Sequence, residues 1–95
     1  MSGYLIADVQ VTNPEQYEAY KRWSTHAMQV HGAEVCVRGG QVQVIEGDWQ
    51  PHRLVVLKFP SVAAAQTFYD SPEYRQAREA RAGAAIMRMV VVEGL

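Results

Sequence analysis

The sequence predicts an α+β fold in which one antiparallel sheet is covered by helices on one face. Three observations support this prediction. Alternating apolar residues indicate strands near both ends and in the middle of the chain, helical stripes lie between them, and 95 residues suffice for one core. The expected organisation is a single domain, residues 1–95, in the order strand, helix, two or three strands, broken helix, strand.

The first strand and first helix follow from periodicity and end signals. "YLIADVQV", residues 4–11, alternates between an apolar face and a mixed face. Asn13 suits an N-cap, Pro14 suits the first helical position, and Gln16 three residues after the cap resembles a capping box. The helix should begin at Pro14 and end at Gly32. Its stripe towards a sheet consists of Tyr17, Tyr20, Trp23, Ser24, Ala27, Met28, Val30 and His31.

The middle of the chain is predicted to be sheet. "EVCV" (34–37), "QVQVI" (41–45) and "RLVVLKF" (53–59) are rich in β-branched residues and alternate in polarity. Gly39 and Gly40 between the first two segments form either a tight hairpin turn or a bulge in one long strand. They do not fit a dinucleotide fingerprint or a Walker A loop, because neither glycine pattern is complete.

Two short helices, or one helix broken at Pro72, should precede the last strand. Ser61 and Ser71 are suitable N-caps, and Gly83 follows the second periodic run. "IMRMVVVEG", residues 86–94, then reads as a strongly β-branched strand. The resulting order, β-α-β-β-α-β, is the ferredoxin-like split arrangement.

The second face of this sheet should also require cover. With uninterrupted alternation, that face is too apolar to leave in water, so a homodimer is expected. Its apolar members would be Ile6, Ile45, Val55, Leu57, Phe59, Val90 and Val92. Its polar or reactive members would be Asp8, Cys36, Arg38 and Arg88.

Composition and spacing argue against several classes of function. A net charge of −1 gives no global field for nucleic acid or an anionic membrane. The single cysteine, Cys36, excludes an internal disulfide and fits the cytoplasm, and the start at Met1 lacks the pattern of a signal peptide. No metal or other cofactor is expected, because His26 and His31 are five residues apart rather than four. Haem held by a single axial histidine would leave no sequence motif, and either of these histidines could serve as that ligand.

Several motifs in order carry a family resemblance. "VTNPEQYEAY", "RGGQVQVIEGDW", "RLVVLKFPS" and "YDSPEYRQAREARAGAA" followed by "VVVEG" resemble the domain-of-unknown-function 1330 family, within the dimeric α/β-barrel superfamily. The resemblance covers essentially the whole chain. It implies a ferredoxin-like protomer whose sheet meets its partner's to form a barrel. It implies no single reaction, since the superfamily includes cofactor-independent quinol monooxygenases, haem enzymes and muconolactone isomerases.

The candidate site combines aromatic residues with a few cations. We expect a mostly apolar pocket that binds a small organic acid or phenol. The family resemblance implies cofactor-independent oxygenation or isomerisation as the activity. Arg81 would hold the anion and His26 would act as a general base. The candidate ligand-binding residues are Tyr20, Trp23, Arg38, Trp49, Tyr69 and Tyr74.

Each of these assignments has a structural alternative. Arg38 either pairs with Asp8 across the mixed face or binds an anion. Trp49 either packs over a sheet edge or walls the pocket. The arginines after Tyr74 either border the site or form a solvated stripe. If all the structural alternatives hold, the protein is a noncatalytic dimeric binding or structural module.

Overall fold

The computed structural model describes all residues, 1–95, as four strands and three helices. The strands are β1 (Gly3–Val11), β2 (Glu34–Arg38), β3 (Arg53–Phe59) and β4 (Ala85–Glu93). The helices are α1 (Pro14–Val30), α2 (Val62–Asp70) and α3 (Pro72–Ala80). The predicted ferredoxin-like α+β fold is confirmed, and the second helical region is two helices separated at Ser71.

The four strands form one antiparallel sheet in the order β2-β3-β1-β4. β1 is central, because Leu5 pairs with Leu57 of β3 on one side and with Val91 of β4 on the other. Alternate β1 residues are buried beneath the helices, as the sequence pattern predicts. Burial of each large apolar side chain in this layer stabilises the fold by about 1.5–3 kcal/mol. The buried core consists of Leu5, Ala7, Val9, Tyr17, Tyr20, Ala27, Met28, Leu57, Phe59, Ala65, Phe68, Tyr74 and Ala77.

The serine caps explain why the second helical region breaks where it does. The Oγ atom of Ser71 accepts a hydrogen bond from the backbone N–H of Tyr74 at 3.1 Å and donates one to the carbonyl of Phe68 at 2.7 Å. One hydroxyl therefore ends α2 and begins α3. Pro72 follows at a position where a missing N–H costs nothing.

The cap of α1 is only half of the predicted capping box. Asn13 accepts a hydrogen bond from the backbone N–H of Gln16 at 3.1 Å, as expected. The Gln16 side chain does not return to the cap. Its amide nitrogen instead donates to the carbonyls of Ala80 at 3.0 Å and Ala82 at 2.7 Å. Gln16 thus fastens the turn after α3 to the start of α1.

The segment 39–52, which we call the arm, replaces the strand predicted at residues 41–45. That prediction was wrong, since none of these residues joins the sheet. Gly39 has a φ of 74° and its N–H donates to the Leu54 carbonyl at 2.8 Å, so it ends β2 and turns the chain away. The glycine pair therefore forms neither a two-residue hairpin nor a bulge within a longer strand. The bulge lies earlier, between Val35 and Val37.

The two sheet faces also differ from the prediction. Val55, Leu57 and Phe59 lie on the helix-covered face, because they pair with Ala7, Leu5 and Gly3. The predicted assignment of these residues to the second face was wrong. β3 is apolar at nearly every position, so its sequence does not show which residues face the helices. The bulge in β2 likewise places Arg38, opposite Val55, on the helix side. The second face carries Tyr4, Ile6, Asp8, Val37, Leu54, Val56, Lys58, Ile86, Arg88, Val90 and Val92. None of the three helices combines the length and apolar character needed to cross a membrane.

Candidate functional site

A cleft of about 600 Å³ lies between α2, the turn after α3 and edge strand β4. Its volume is within the range of small-molecule sites. The floor is apolar and comes from β1 and β4, whereas the rim is polar and comes from α2 and the turn. The cleft is lined by Leu5, Gln66, Tyr69, Asp70, Arg81, Met87, Met89, Val90 and Val91.

Arg81 is the only cation that lines this cleft. It caps the C-terminus of α3, where its N–H bonds to the carbonyl of Ala77 and fixes the backbone position. Its guanidinium lies 5.7 Å from the centre of the Tyr20 ring, a cation–π distance. The Nε atom of Arg81 is buried and has no hydrogen-bond partner. An unsatisfied buried donor is costly, so a small rotation of the guanidinium that exposed Nε to the cleft would let it bind an acceptor there.

Two buried tyrosines lie behind Arg81. Their hydroxyl oxygens, on Tyr20 and Tyr74, are 2.7 Å apart and hydrogen bonded. Burial raises the pKa of Tyr20 far above its usual value, and the neighbouring Tyr74 adds to the effect. Burial also raises the pKa of Tyr74, against the lowering effect of its hydrogen bond and of the Arg81 charge. Both phenols therefore stay protonated near neutral pH and can act as hydrogen-bond donors.

A second, much smaller space of about 30 Å³ lies beneath α1, and we call it the inner void. Tyr20 and Tyr74 line it, and so do Leu5 and Met89. Leu5 and Met89 also line the cleft, so these two side chains form the wall between the two spaces. Met89 is unbranched and adaptable, so a small displacement of its thioether would join them.

The rim of the cleft is held by aromatic stacking. Tyr69 packs on Tyr74 with ring centres 5.5 Å apart. The guanidinium of Arg78 also lies over the Tyr69 ring, 4.4 Å from its centre. Arg78 is therefore a structural neighbour of the site, and Tyr69 is held by two partners.

The structure brings together four of the predicted site residues, namely Tyr20, Tyr69, Tyr74 and Arg81. His26 lies apart from them, exposed on α1, and lines neither the cleft nor the inner void. Trp23 is also exposed on α1, at 41% of its surface. These two positions do not converge with the arginine and the tyrosines.

Arg38 lines the inner void with Tyr20 and Tyr74 but not the cleft, and Trp49 lines neither space. The Arg38–Asp8 ion pair, one of the two alternatives for Arg38, does not form. The Nη2 atom of Arg38 donates to the hydroxyl of Thr25 at 2.6 Å. Asp8 instead accepts from Trp49 Nε1 at 3.1 Å and from the backbone N–H of His52 at 3.0 Å. These bonds lower the pKa of Asp8, the His52 bond having the largest effect. Trp49 thus anchors the arm to the second sheet face.

Sequence reasoning missed several residues of the cleft: Gln66, Asp70, Met87 and Met89. Gln66 and Asp70 are four residues apart on one helix, with Tyr69 beside them, so they share a face of α2. This spacing was a usable signal. No comparable signal identified the methionines, because their side of β4 resembles an ordinary core face. No group of three or more His, Cys, Asp or Glu side chains is arranged to hold a metal ion.

The fold and the cleft together define a ferredoxin-like α+β protein with a ligand-sized space between its helices and its sheet. A family model, "Domain of unknown function (DUF1330)", matches residues 2–95. The chain belongs to this family. No curated protein sequence matches it.

Three solved structures illustrate the range of proteins with this fold. A protein of unknown function from Rhodopseudomonas palustris, RPA0582, is 25% identical with a TM-score of 0.72, covering 99% of this chain and 82% of that chain. SnoaB, a cofactor-independent oxygenase from Streptomyces nogalater, is 10% identical with a TM-score of 0.66, covering 99% and 93%. A dimeric protein of unknown function and ferredoxin-like fold from Bacteroides fragilis is 12% identical with a TM-score of 0.57, covering 98% and 96%.

Proposed function

We propose that the cleft binds a small aromatic acid or phenol and that the protein oxidises it with molecular oxygen without a cofactor. One observation carries the binding part of this proposal. The buried Nε atom of Arg81 has no partner, and it lies beside a cleft with an apolar floor of Leu5, Met87 and Met89. An anion with an apolar body matches both features, since the planar guanidinium fork suits a carboxylate, phenolate or enolate.

The same arrangement can favour the ionised form of a phenol or of a ketone with an acidic CH₂ group. The Arg81 charge stabilises the phenolate or enolate, and the Asp70 carboxylate on the rim is available to accept the proton. Such electron-rich anions can transfer electrons to O₂ directly. With such a ketone the CH₂ group becomes C=O, and with a hydroquinone the ring is hydroxylated and oxidised to a hydroxyquinone; in both, one oxygen atom of O₂ enters the substrate and the other leaves as water with two hydrogens of the substrate. The substrate supplies all four electrons.

The fold of SnoaB, a cofactor-independent oxygenase, supports this reaction class as a precedent on the same scaffold. Isomerisation through the same enolate is the second reaction that the Arg81 and Asp70 pair could perform. The binding of a ligand without turnover, as in a noncatalytic module, is the remaining function. The predicted general base His26 has no role in this proposal, because it does not line the cleft.

Binding can be tested by isothermal titration with matched pairs of ligands, such as an aromatic carboxylate and its neutral amide. We expect the carboxylate to bind the wild type at least tenfold more tightly than the amide. Arg81→Gln should abolish that preference, since a lost charged hydrogen bond is equivalent to about 1.5–3 kcal/mol. Arg75→Gln is the matched control, because Arg75 is exposed on α3 and lies outside the cleft. An equal loss in both variants would contradict the proposed site.

Turnover can be tested separately with an oxygen electrode. A panel of hydroquinones and of aromatic ketones with an acidic CH₂ group would be supplied with metal-free protein, and both O₂ uptake and product would be measured. One O₂ consumed per oxygen atom incorporated into the product, with the rate lost in Arg81→Gln and Asp70→Asn, would support oxygenation. Tight binding without O₂ uptake would reject the oxygenase and favour isomerisation or the noncatalytic module.

We further propose that the second sheet face is the interface of a homodimer. Val90 and Val92 are about half exposed there, and the Bacteroides fragilis neighbour with this fold is dimeric. Val90→Glu should produce monomers in sedimentation velocity. Val30→Glu is a matched control, because the two valines are similarly exposed, at 54% for Val30 and 58% for Val90. Val30 lies on α1, away from the second sheet face, so this variant should remain a dimer. A wild-type monomer at micromolar concentration would reject the interface.

A cytoplasmic location is the last part of the proposal. It rests on the free, exposed thiol of Cys36, which suits a reducing compartment. Cell fractionation would test this location, and recovery of the protein outside the cytoplasm would contradict it.

A further inference from the structure

A second concavity, of about 540 Å³, opens between α1 and the β2–β3 side of the sheet. It shares no residue with the cleft that contains Arg81. No apolar residue lines it, in contrast to the floor of the cleft. Its lining consists of Glu18, Lys21, Arg22, Thr25, Arg38 and Arg53.

This concavity concentrates positive charge. Four of its six lining residues are cations and only Glu18 is an acid, which leaves an excess of three positive charges. The chain as a whole has a net charge of −1. Glu18 is already paired, since its carboxylate lies 2.8 Å from the Lys21 ammonium. The three arginines therefore face the concavity without an acidic partner in it.

Two of these arginines are held in place by the surrounding structure. The Nη2 atom of Arg38 donates to Thr25 at 2.6 Å. The guanidinium of Arg53 lies against Gly39, and a Cβ atom at residue 39 would collide with its Nη1 and Cζ atoms. The Nε atom of Arg53 is buried and has no hydrogen-bond partner.

Gly39 thus has two roles. Its φ of 74° ends β2, and its lack of a side chain leaves room for the Arg53 guanidinium across the strand end. The neighbouring Arg38 comes to the same side through the bulge at Val35–Val37. The "RGG" motif therefore places one arginine directly and makes space for a second.

We propose that this concavity binds a phosphoryl group, as free phosphate or as a small phosphate monoester. Two arginine forks from the sheet, with Arg22 and Lys21 on α1, can surround a compact dianion that presents several oxygens. A small rotation of the Arg53 guanidinium that exposed its unpaired Nε atom would let this atom donate to the same anion. This site shares no lining residue with the proposed oxygenase cleft, although Lys21, Arg38 and Arg53 also line the inner void.

The test is isothermal titration with inorganic phosphate, and in parallel with phenyl phosphate and glycerol phosphate, at constant ionic strength set with chloride. We expect saturable binding to the wild type and at least tenfold weaker binding to Arg38→Gln and to Arg53→Gln. Arg75→Gln removes the same charge from an exposed position outside the concavity and should bind as the wild type does. Tighter binding of a monoester than of phosphate would identify a phosphorylated small molecule as the ligand.

Absence of saturable binding to the wild type would overturn the proposal, and so would equal weakening by Arg75→Gln. Thermal unfolding of each variant would be measured first, and Arg22→Gln, which alters an exposed side chain, replaces any variant that fails to fold. Aromatic-acid binding would be measured in the same proteins. It should be unchanged in Arg22→Gln, since Arg22 lines the concavity but neither the cleft nor the inner void, and lost in Arg81→Gln, so the two sites can fail separately.

Discussion

The hydrogen bond between Tyr20 and Tyr74 allows a quantitative test of the buried part of the candidate site. Their hydroxyls are 2.7 Å apart, and only 7% and 2% of the two residues' surfaces are exposed. Changing either residue to Phe keeps the ring packing and leaves the other hydroxyl buried without its partner. We expect each single variant to lose about 1–3 kcal/mol of unfolding free energy.

The double variant should lose less than the sum of the two singles. Two phenylalanines leave no unsatisfied hydroxyl, and replacing both partners by apolar groups of similar shape can be nearly neutral. A double-mutant cycle should therefore give a coupling of about 1 kcal/mol or more between Tyr20 and Tyr74. Tyr69→Phe is the control, since Tyr69 packs on Tyr74 but lies outside the hydroxyl pair. Urea denaturation followed by circular dichroism measures all four variants, and additive losses would refute the reasoning.

The same pair predicts how stability changes at alkaline pH. The folded state raises the pKa of Tyr20 and Tyr74, so it keeps both protons where the unfolded chain releases them near pH 10. Their contribution is fully present below pH 10 and is lost as the pH rises above it, by up to about 1.4 kcal/mol per pH unit for each tyrosine. Urea denaturation between pH 8 and 11 should show a steeper decline in the wild type than in the double Phe variant. Parallel curves would contradict the burial of these phenols.

Three further predictions concern the arm, the core and the cleft wall. Asp8→Asn should lower the free energy of unfolding by about 1 kcal/mol at pH 7. Because folding lowers the pKa of Asp8, the difference from wild type should shrink as the pH falls below 4. Urea denaturation at pH 7 and at pH 3 measures this difference, and a constant difference would contradict the bonds to Trp49 and His52. Phe68→Ala should lower the free energy of unfolding by about 3–5 kcal/mol, because Phe68 is 1% exposed in the core. A loss below about 1 kcal/mol in the same assay would be inconsistent with a buried position. Met89→Ala should join the cleft to the inner void and shift the ligand preference towards longer aromatic acids. Titration with acids of different length measures this preference, and an unchanged preference would show that Met89 does not separate the two spaces.

The sequence predicted the elements well where local signals were decisive. Asn13, Ser61 and Ser71 all cap helices as expected, because capping depends on residues a few positions apart. The prediction of a strand at 41–45 was wrong because alternating polarity shows only that a segment can form a strand. It does not show that a neighbouring strand is there to pair with it. The assignment of the β3 residues to the two sheet faces was wrong for a related reason. Only the pairing of β3 with β1 decides which of its residues face the helices.

The candidate site was predictable only in part. Tyr74 and Arg81 were proposed because both belong to one helical region with a clear periodicity, and the structure places Arg81 in the cleft and Tyr74 behind it. Met89 joins them from β4, and Leu5 from the first strand, only through the tertiary fold. His26 was proposed from its place on the same helix as Tyr20, but helical spacing alone does not say where a pocket opens.

The central position of β1 has a consequence for how the chain folds during synthesis. β1 is made first, yet its neighbours are β3 and β4, which are separated from it by more than 40 and 70 residues in sequence. While the ribosome still holds β4, the backbone of β1 has one edge unpaired and its apolar residues are incompletely covered. We expect the sheet to close only after β4 has emerged, so the nascent chain remains open to aggregation or chaperone binding until then.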